Sequence, residues 1–311
     1  MKRIIGEVTG SEKGPLVILI GGLHGNEATG LIALENIFKS INAKSDRLKG
    51  RAIALRGNLE AIRQNIRYVS MDLNRIWDIK HFKRANDYQA AELFELQALR
   101  AVIEKELKGD YTKAYLIDLH TTSAPTIPFC VTINSEDNKD FVEKMDVPYI
   151  TGLIGHLDGT MLAWMCEKGH CGMAFEAGQH HSKTSIYKHE AFVRLAMYHI
   201  GMIPDMDANK ITDLKEMLED ELKPKHSHFA LIERYRIDEE EEFKMEVGYA
   251  NFEKIIKGEV LATNKSGDIV STVNGNIFMP LYQSQGNDGF FIIKPYEKLM
   301  EEKQRVGAAT M

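Results

Sequence analysis

The sequence is short of cysteine, of excess positive charge and of long apolar runs, and each shortage closes off a class of protein. Three cysteines in 311 residues (Cys130, Cys166 and Cys171) are an odd number and too few for a disulfide framework. The start, Met1-Lys2-Arg3-Ile4-Ile5-Gly6-Glu7, lacks the apolar region of a signal peptide. The expectation is a cytoplasmic protein with reduced thiols. No stretch reaches the roughly 18 uninterrupted apolar residues of a membrane helix. A formal net charge of −6 argues against a nucleic-acid or anionic-membrane surface, which would need a basic face, although an acidic protein can still hold a positive pocket. There is no internal repeat and no low-complexity segment. The one charge run, Asp238 to Glu242, reads as a solvated loop or strand end.

What is present is ordinary for a globular chain, 44% hydrophobic and 27% charged, with length enough for a sizeable core in two domains. After an edge strand in residues 1 to 13, Leu16 to Ile20 is apolar on both faces, as in a sheet covered by helices on each side. Leu31, Leu34, Ile37, Phe38 and Ile41 recur at helical spacing. Further strands are expected at 51–56, 115–119, 128–133, 147–151 and 171–175, with helices at 86–108, 158–168 and 185–200. Strands alternating with helices predict an α/β fold: a mostly parallel mixed sheet flanked by helices. Residues 58 to 82 have no clear period and read as a polar loop, of the kind that often carries function. Composition changes after Gly201, and a linker at 203–207 divides a domain at 1–207 from a smaller β-rich one at 208–311. In the latter, a helix at 211–222 precedes short strands, and Asn274-Gly275 predicts a hairpin joining 269–273 to 277–279.

The chemistry-bearing residues fall at strand ends. Gly21-Gly22-Leu23-His24-Gly25-Asn26-Glu27 puts a histidine and a glutamate three apart at a strand-to-helix turn, where both can address one point, most often a zinc ion. His120 ends its own strand at the same sheet edge, where sites of open parallel sheets gather. His24, Glu27 and His120 make a three-ligand set that leaves a position open, as catalytic zinc sites do. Asp118 lies two residues before His120, so it either orients that imidazole or pairs elsewhere at the sheet edge. Glu176 is either a proton-transferring carboxylate at the same edge or a plain strand-end glutamate. Arg67, Asn74 and Arg75 are solvated loop charges or, since a guanidinium fork suits a carboxylate, substrate contacts. His180, His181, His226 and His228 have no partner ligands at useful spacing and read as exposed loop residues.

The motifs together resemble the aspartoacylase and succinylglutamate desuccinylase family, relatives of the zinc carboxypeptidases. The resemblance rests on Gly22-Leu23-His24-Gly25-Asn26-Glu27, Arg67-Tyr68, Asp72-Leu73-Asn74-Arg75, Asp118-Leu119-His120-Thr121-Thr122 and Phe175-Glu176-Ala177-Gly178. It implies one Zn2+ ion held by His24, Glu27 and His120, with Glu176 as general base and acid. It also implies that Arg67 polarises the scissile amide oxygen and that Asn74 and Arg75 hold the substrate α-carboxylate. A carboxypeptidase-like catalytic domain and a β-rich C-terminal domain that limits access to the site are implied with them. Two features of the acetylaspartate-cleaving members are missing. No arginine stands between Arg100 and Arg194, and Asn287-Asp288-Gly289-Phe290-Phe291 runs where a tyrosine is expected. The reading is a zinc-dependent amidohydrolase acting on a small N-acyl amino acid, with homo-oligomerisation left open. A peptide-trimming metallocarboxypeptidase and an idle zinc protein with a partner-binding C-terminal domain are the alternatives.

Overall fold

A computed structural model describes residues 1–41, 48–78, 90–238 and 240–309. Its strands are β1 (Ile4–Thr9), β2 (Glu12–Gly21), β3 (Lys49–Arg56), β4 (Ala114–Thr122), β5 (Phe129–Thr132), β6 (Tyr149–Thr151) and β7 (Cys171–Gln179). They continue as β8 (His228–Arg236), β9 (Lys244–Met245), β10 (Lys254–Ile255), β11 (Val260–Asn264), β12 (Gly267–Val270), β13 (Gly275–Phe278) and β14 (Asp288–Pro295). Eleven of them form one sheet in the order β1-β3-β2-β4-β7-β5-β6-β8-β14-β13-β10, and β12-β11-β9 form a small antiparallel sheet. The centre, β3-β2-β4-β7, is parallel. The sheet continues across residue 207, since β6 pairs in parallel with β8.

Strand alternation explains why both faces of β2 and β4 are apolar. Leu16, Ile18, Ile20 and Leu116 point into one core, under helices Ala91–Glu106 and Met161–Glu167. Val17, Leu19, Ile117 and Leu119 point into another, under helices Ala28–Ile41 and Thr184–His199. Side chains of the first face that lie past the apolar stretch become the site. All three cysteines are free thiols.

Four expectations are corrected. The polar stretch after residue 57 holds regular elements: Asn58 caps helix Leu59–Gln64 and Asp72 caps a 3-10 turn at Leu73–Arg75, while residues 79–82 lie outside the described residues. The helix expected from residue 86 begins at Ala91, and residues 86–89 lie outside the described residues. The Asn274-Gly275 hairpin does not form, because β12 pairs with β11 while β13 pairs with β14 and β10. There Asn274 accepts a hydrogen bond from the Lys257 amide, and a Cβ on Gly275 would meet Ile292 at 2.6 Å, so this glycine serves close strand packing. His228 is no loop residue either. It opens β8, stacked between Tyr149 and Tyr296, and burial pushes its pKa down to about 4, so the ring is neutral.

Candidate active site

The parallel register sets the site. Ile20 of β2 lies beside Asp118 of β4, and His120 of β4 lies beside Glu176 of β7. Period two puts Asp118 and His120 on one face with Ala174 and Glu176. His24 and Glu27 follow β2 in the turn before helix Ala28–Ile41. That turn lies tight against helix Leu59–Gln64: a Cβ on Gly25 would fall 2.1 Å from the Ala61 backbone, a gap only glycine fits. The Gly25 amide also donates to the Arg67 carbonyl at 3.1 Å, which ties the His24 turn to the arginine loop.

His24, Glu27 and His120 are all buried, at 5%, 3% and 4% exposure, with potential ligand atoms within 4.8 Å of one another. Nδ1 of each imidazole faces one Glu27 oxygen at 2.9 Å. The far nitrogens are held by carboxylates: His120 Nε2 donates to Asp118 at 2.6 Å, and His24 Nε2 donates to Asp72 at 3.1 Å. Such pairing favours the tautomer that turns the Nδ1 lone pair inward, where it could coordinate an ion, the arrangement usual for metal-binding histidine. The donor set and its carboxylate backing therefore suit a metal ion of the zinc type.

Electrostatics support the same picture. Burial opposes the Glu27 charge, but His24 and His120 outweigh it and hold the carboxyl well below its usual range. Burial likewise opposes charge on His120, yet Asp118 and Glu27 raise its pKa well above the usual value. Glu176 behaves differently. Burial pushes its carboxyl up to about 8, against the pull of His120 and Arg67 and with help from Glu27 and Asp118. Its Oε2 is buried and has no hydrogen-bond partner within the protein.

Arg67 points into the same space, 3.0 Å from Asp72 and 3.7 Å from Glu27. Arg75 lies 3.5 Å from Asp288, whose other oxygen accepts from Arg234 at 2.7 Å. Asn74 turns its side-chain oxygen to the Met161 amide at 3.0 Å, so this oxygen braces the loop against its neighbour. Seven of the eight residues singled out from sequence thus line one cleft, and the eighth, Asp118, lies behind His120. The cleft volume is about 120 Å3.

Several site residues escaped sequence reasoning. Asp72 holds His24 and Arg67 and caps the 3-10 turn, a triple duty that a single carboxylate in a loop does not advertise. Gln283 and Gln285, in the loop between β13 and β14, bond Asn26 and the Arg67-Tyr68 backbone. Glu92 is fully buried and accepts from Asn58 and from the amides of Val69, Ser70 and Met71. Its signal was available: Glu92 shares a helix stripe with Leu96, Leu99 and Ile103. Glu92→Ala leaves three amides unpaired and is expected to destabilise the fold by about 3 kcal/mol. Urea denaturation checks this, and a change under about 1 kcal/mol contradicts the bracing role.

Comparison with known proteins converges on one group. The sequence profile of the succinylglutamate desuccinylase/aspartoacylase catalytic domain matches residues 13–195. A succinylglutamate desuccinylase of Pseudomonas aeruginosa is 34% identical over 87 residues, 27% of this chain and 26% of that protein. The match thus spans about a quarter of that relative's length. Among solved structures, a succinylglutamate desuccinylase/aspartoacylase from Rhodobacter sphaeroides superposes with a TM-score of 0.67 at 17% identity, covering 93% of this chain and 88% of that one. A succinylglutamate desuccinylase from Vibrio cholerae gives 0.68 at 15% identity, covering 92% and 82%. At such identities the structures speak for the fold, and the profile, which spans more than half of the sequence, speaks for kinship. The chain belongs to the succinylglutamate desuccinylase/aspartoacylase family.

Proposed function

We propose that the protein is a zinc-dependent amidohydrolase that removes the acyl group from a small N-acyl amino acid. The observation that carries this reading is the buried Glu176 carboxyl, its Oε2 without a partner in the protein, beside the His24-Glu27-His120 donor set. His24, Glu27 and His120 would hold the ion. When bound there, zinc supplies Lewis acidity and eases deprotonation of water at neutral pH. Glu176 takes the proton of the attacking water and returns it to the departing amine, and a cation bound beside it would draw its carboxyl below the value near 8 that burial gives it without metal. Arg67, locked by Asp72, offers its guanidinium to the developing oxyanion. Arg75 and the Asn74 amide anchor the α-carboxylate, and Asp118 and Asp72 keep the imidazoles aligned.

The β-rich part at 208–311 is assigned the role of restricting access. Met279, Pro280, Leu281 and Gln283 line the cleft, and their loop is pinned where Tyr282 donates to Ser123 and Asn26 to Gln283. This roof favours small acyl amino acids over peptide tails. A structural zinc protein would not need an unpartnered carboxylate beside its ligands, which weighs against the idle alternative.

The test is a hydrolysis screen of zinc-loaded protein against acetyl-, succinyl- and longer acyl-amino acids and against dipeptides and longer peptides. Acyl amino acids are expected to be cleaved at least 100-fold faster in kcat/KM, roughly the reach of pocket discrimination. Release of C-terminal residues from peptides at equal efficiency would instead establish the carboxypeptidase alternative.

A further inference from the structure

Beyond the catalytic groups, the cleft has a second wall that the chemistry does not use. Val131, Leu153, Leu157, Leu162, Ala174 and Phe291 line it, and all belong to the core on the site's side of the sheet. Ala174 lies two residues before Glu176 on β7, and Val131 of β5 is its register partner, so hydrocarbon continues directly from the Glu176 position. We propose that this wall selects the amino-acid side chain of the substrate, and that the side chain is uncharged hydrocarbon of about the size of leucine or norleucine. The proposal rests on the deacylase reading and adds the substrate class.

Placement decides which part of the substrate lies there. The Trp77 amide donates to the Gly159 carbonyl at 2.9 Å, and the Met161 amide donates to the Asn74 side chain at 3.0 Å. These bonds bring the 157–162 segment against Asn74 and Arg75, the residues assigned to the α-carboxylate. The group next to an α-carboxylate is the one that shares its α-carbon, namely the side chain.

Charge points the same way. Among the described residues lining the cleft, the guanidinium groups are those of Arg67 and Arg75. Arg67 is engaged by Asp72 and Glu27, and Arg75 by Asp288, which Arg234 also holds. An acidic side chain turned to this wall would leave water for hydrocarbon, with the Arg67 and Arg75 guanidinium groups already engaged. A basic one would find both Asp288 oxygens already taken by arginine.

The experiment measures kcat/KM of the zinc-loaded protein for N-acetyl derivatives of alanine, norvaline, norleucine, leucine, aspartate, glutamate and 2,4-diaminobutyrate. The expected result is a rise of about fourfold per methylene from alanine to norleucine. Aspartate and diaminobutyrate should fall at least about 100-fold below norleucine. A preference for either charged substrate overturns the proposal. Calorimetric binding of the free amino acids separates it from the deacylase reading. Norleucine binding at least tenfold tighter than aspartate, without any deacylation, would sink that reading and keep the pocket; equal binding would sink the pocket. Leu157→Arg, at the most exposed of the six wall residues though still only 9% exposed, is expected to lower the norleucine-to-aspartate ratio at least tenfold, and an unchanged ratio contradicts the assignment.

Discussion

Glu176→Gln is expected to bind metal as the wild type does while kcat for acyl-amino-acid hydrolysis falls about 100- to 10,000-fold, the usual worth of a general base. Glutamine fills the same space beside His120 but can neither take the proton of water nor return one to the amine. A matching fall in kcat/KM with KM little changed places the loss in the chemical step. A wild-type rate in this variant would remove Glu176 from the mechanism.

The same substitution has a signature that needs no turnover. In the metal-free fold the Glu176 carboxyl titrates near 8, against 4.5 for the group in free solution. Between those values the folded chain binds the proton more tightly than the unfolded chain, so stability falls as pH rises from about 4.5 to about 8 and then levels. Glutamine has no charge to bury. The metal-free variant is therefore expected to gain roughly 2 kcal/mol over wild type at pH 9 and little at pH 4.5. Equal stability of the two proteins across that range would mean that the carboxyl is not desolvated.

His120→Ala is expected to abolish stoichiometric metal binding, with activity lost alongside. Removing it withdraws one of three ligands and leaves Asp118 buried at 0% exposure without its imidazole partner. In the wild type, the raised pKa of His120 means that metal must displace a proton. Affinity should then climb with pH, up to tenfold per unit while one proton is released, and flatten above the His120 pKa. Competition with a chromogenic chelator at several pH values measures both effects. Full metal occupancy in His120→Ala would show that the ion lies elsewhere.

Much of this site was legible in the sequence because its parts follow apolar strands. His24, His120 and Glu176 each sit just beyond or late in a buried run, and a parallel sheet brings such positions to one edge. Asp118 could be placed because period two is fixed by the pleat. What stayed hidden depends on tertiary contact. Gln283 reaches Asn26 across 257 residues of chain and Asp72 reaches His24 across 48, distances at which no local period carries a signal, although the Asp72 cap on the 3-10 turn is local. The Asn274-Gly275 hairpin misled for the same reason. Its turn chemistry was sound locally, but β13 finds longer partners in β14, and the glycine is needed for packing on Ile292. Glu92 was the one legible residue left unread, a carboxylate on an otherwise apolar stripe.

Titration of chelator-treated protein with zinc, followed by hydrolysis of N-acetyl-norleucine and N-acetyl-aspartate, tests the central claim most directly. One site built from His24, Glu27 and His120 predicts negligible activity at zero metal and a linear rise that ends at about one equivalent. Undiminished hydrolysis by the metal-free protein would contradict it.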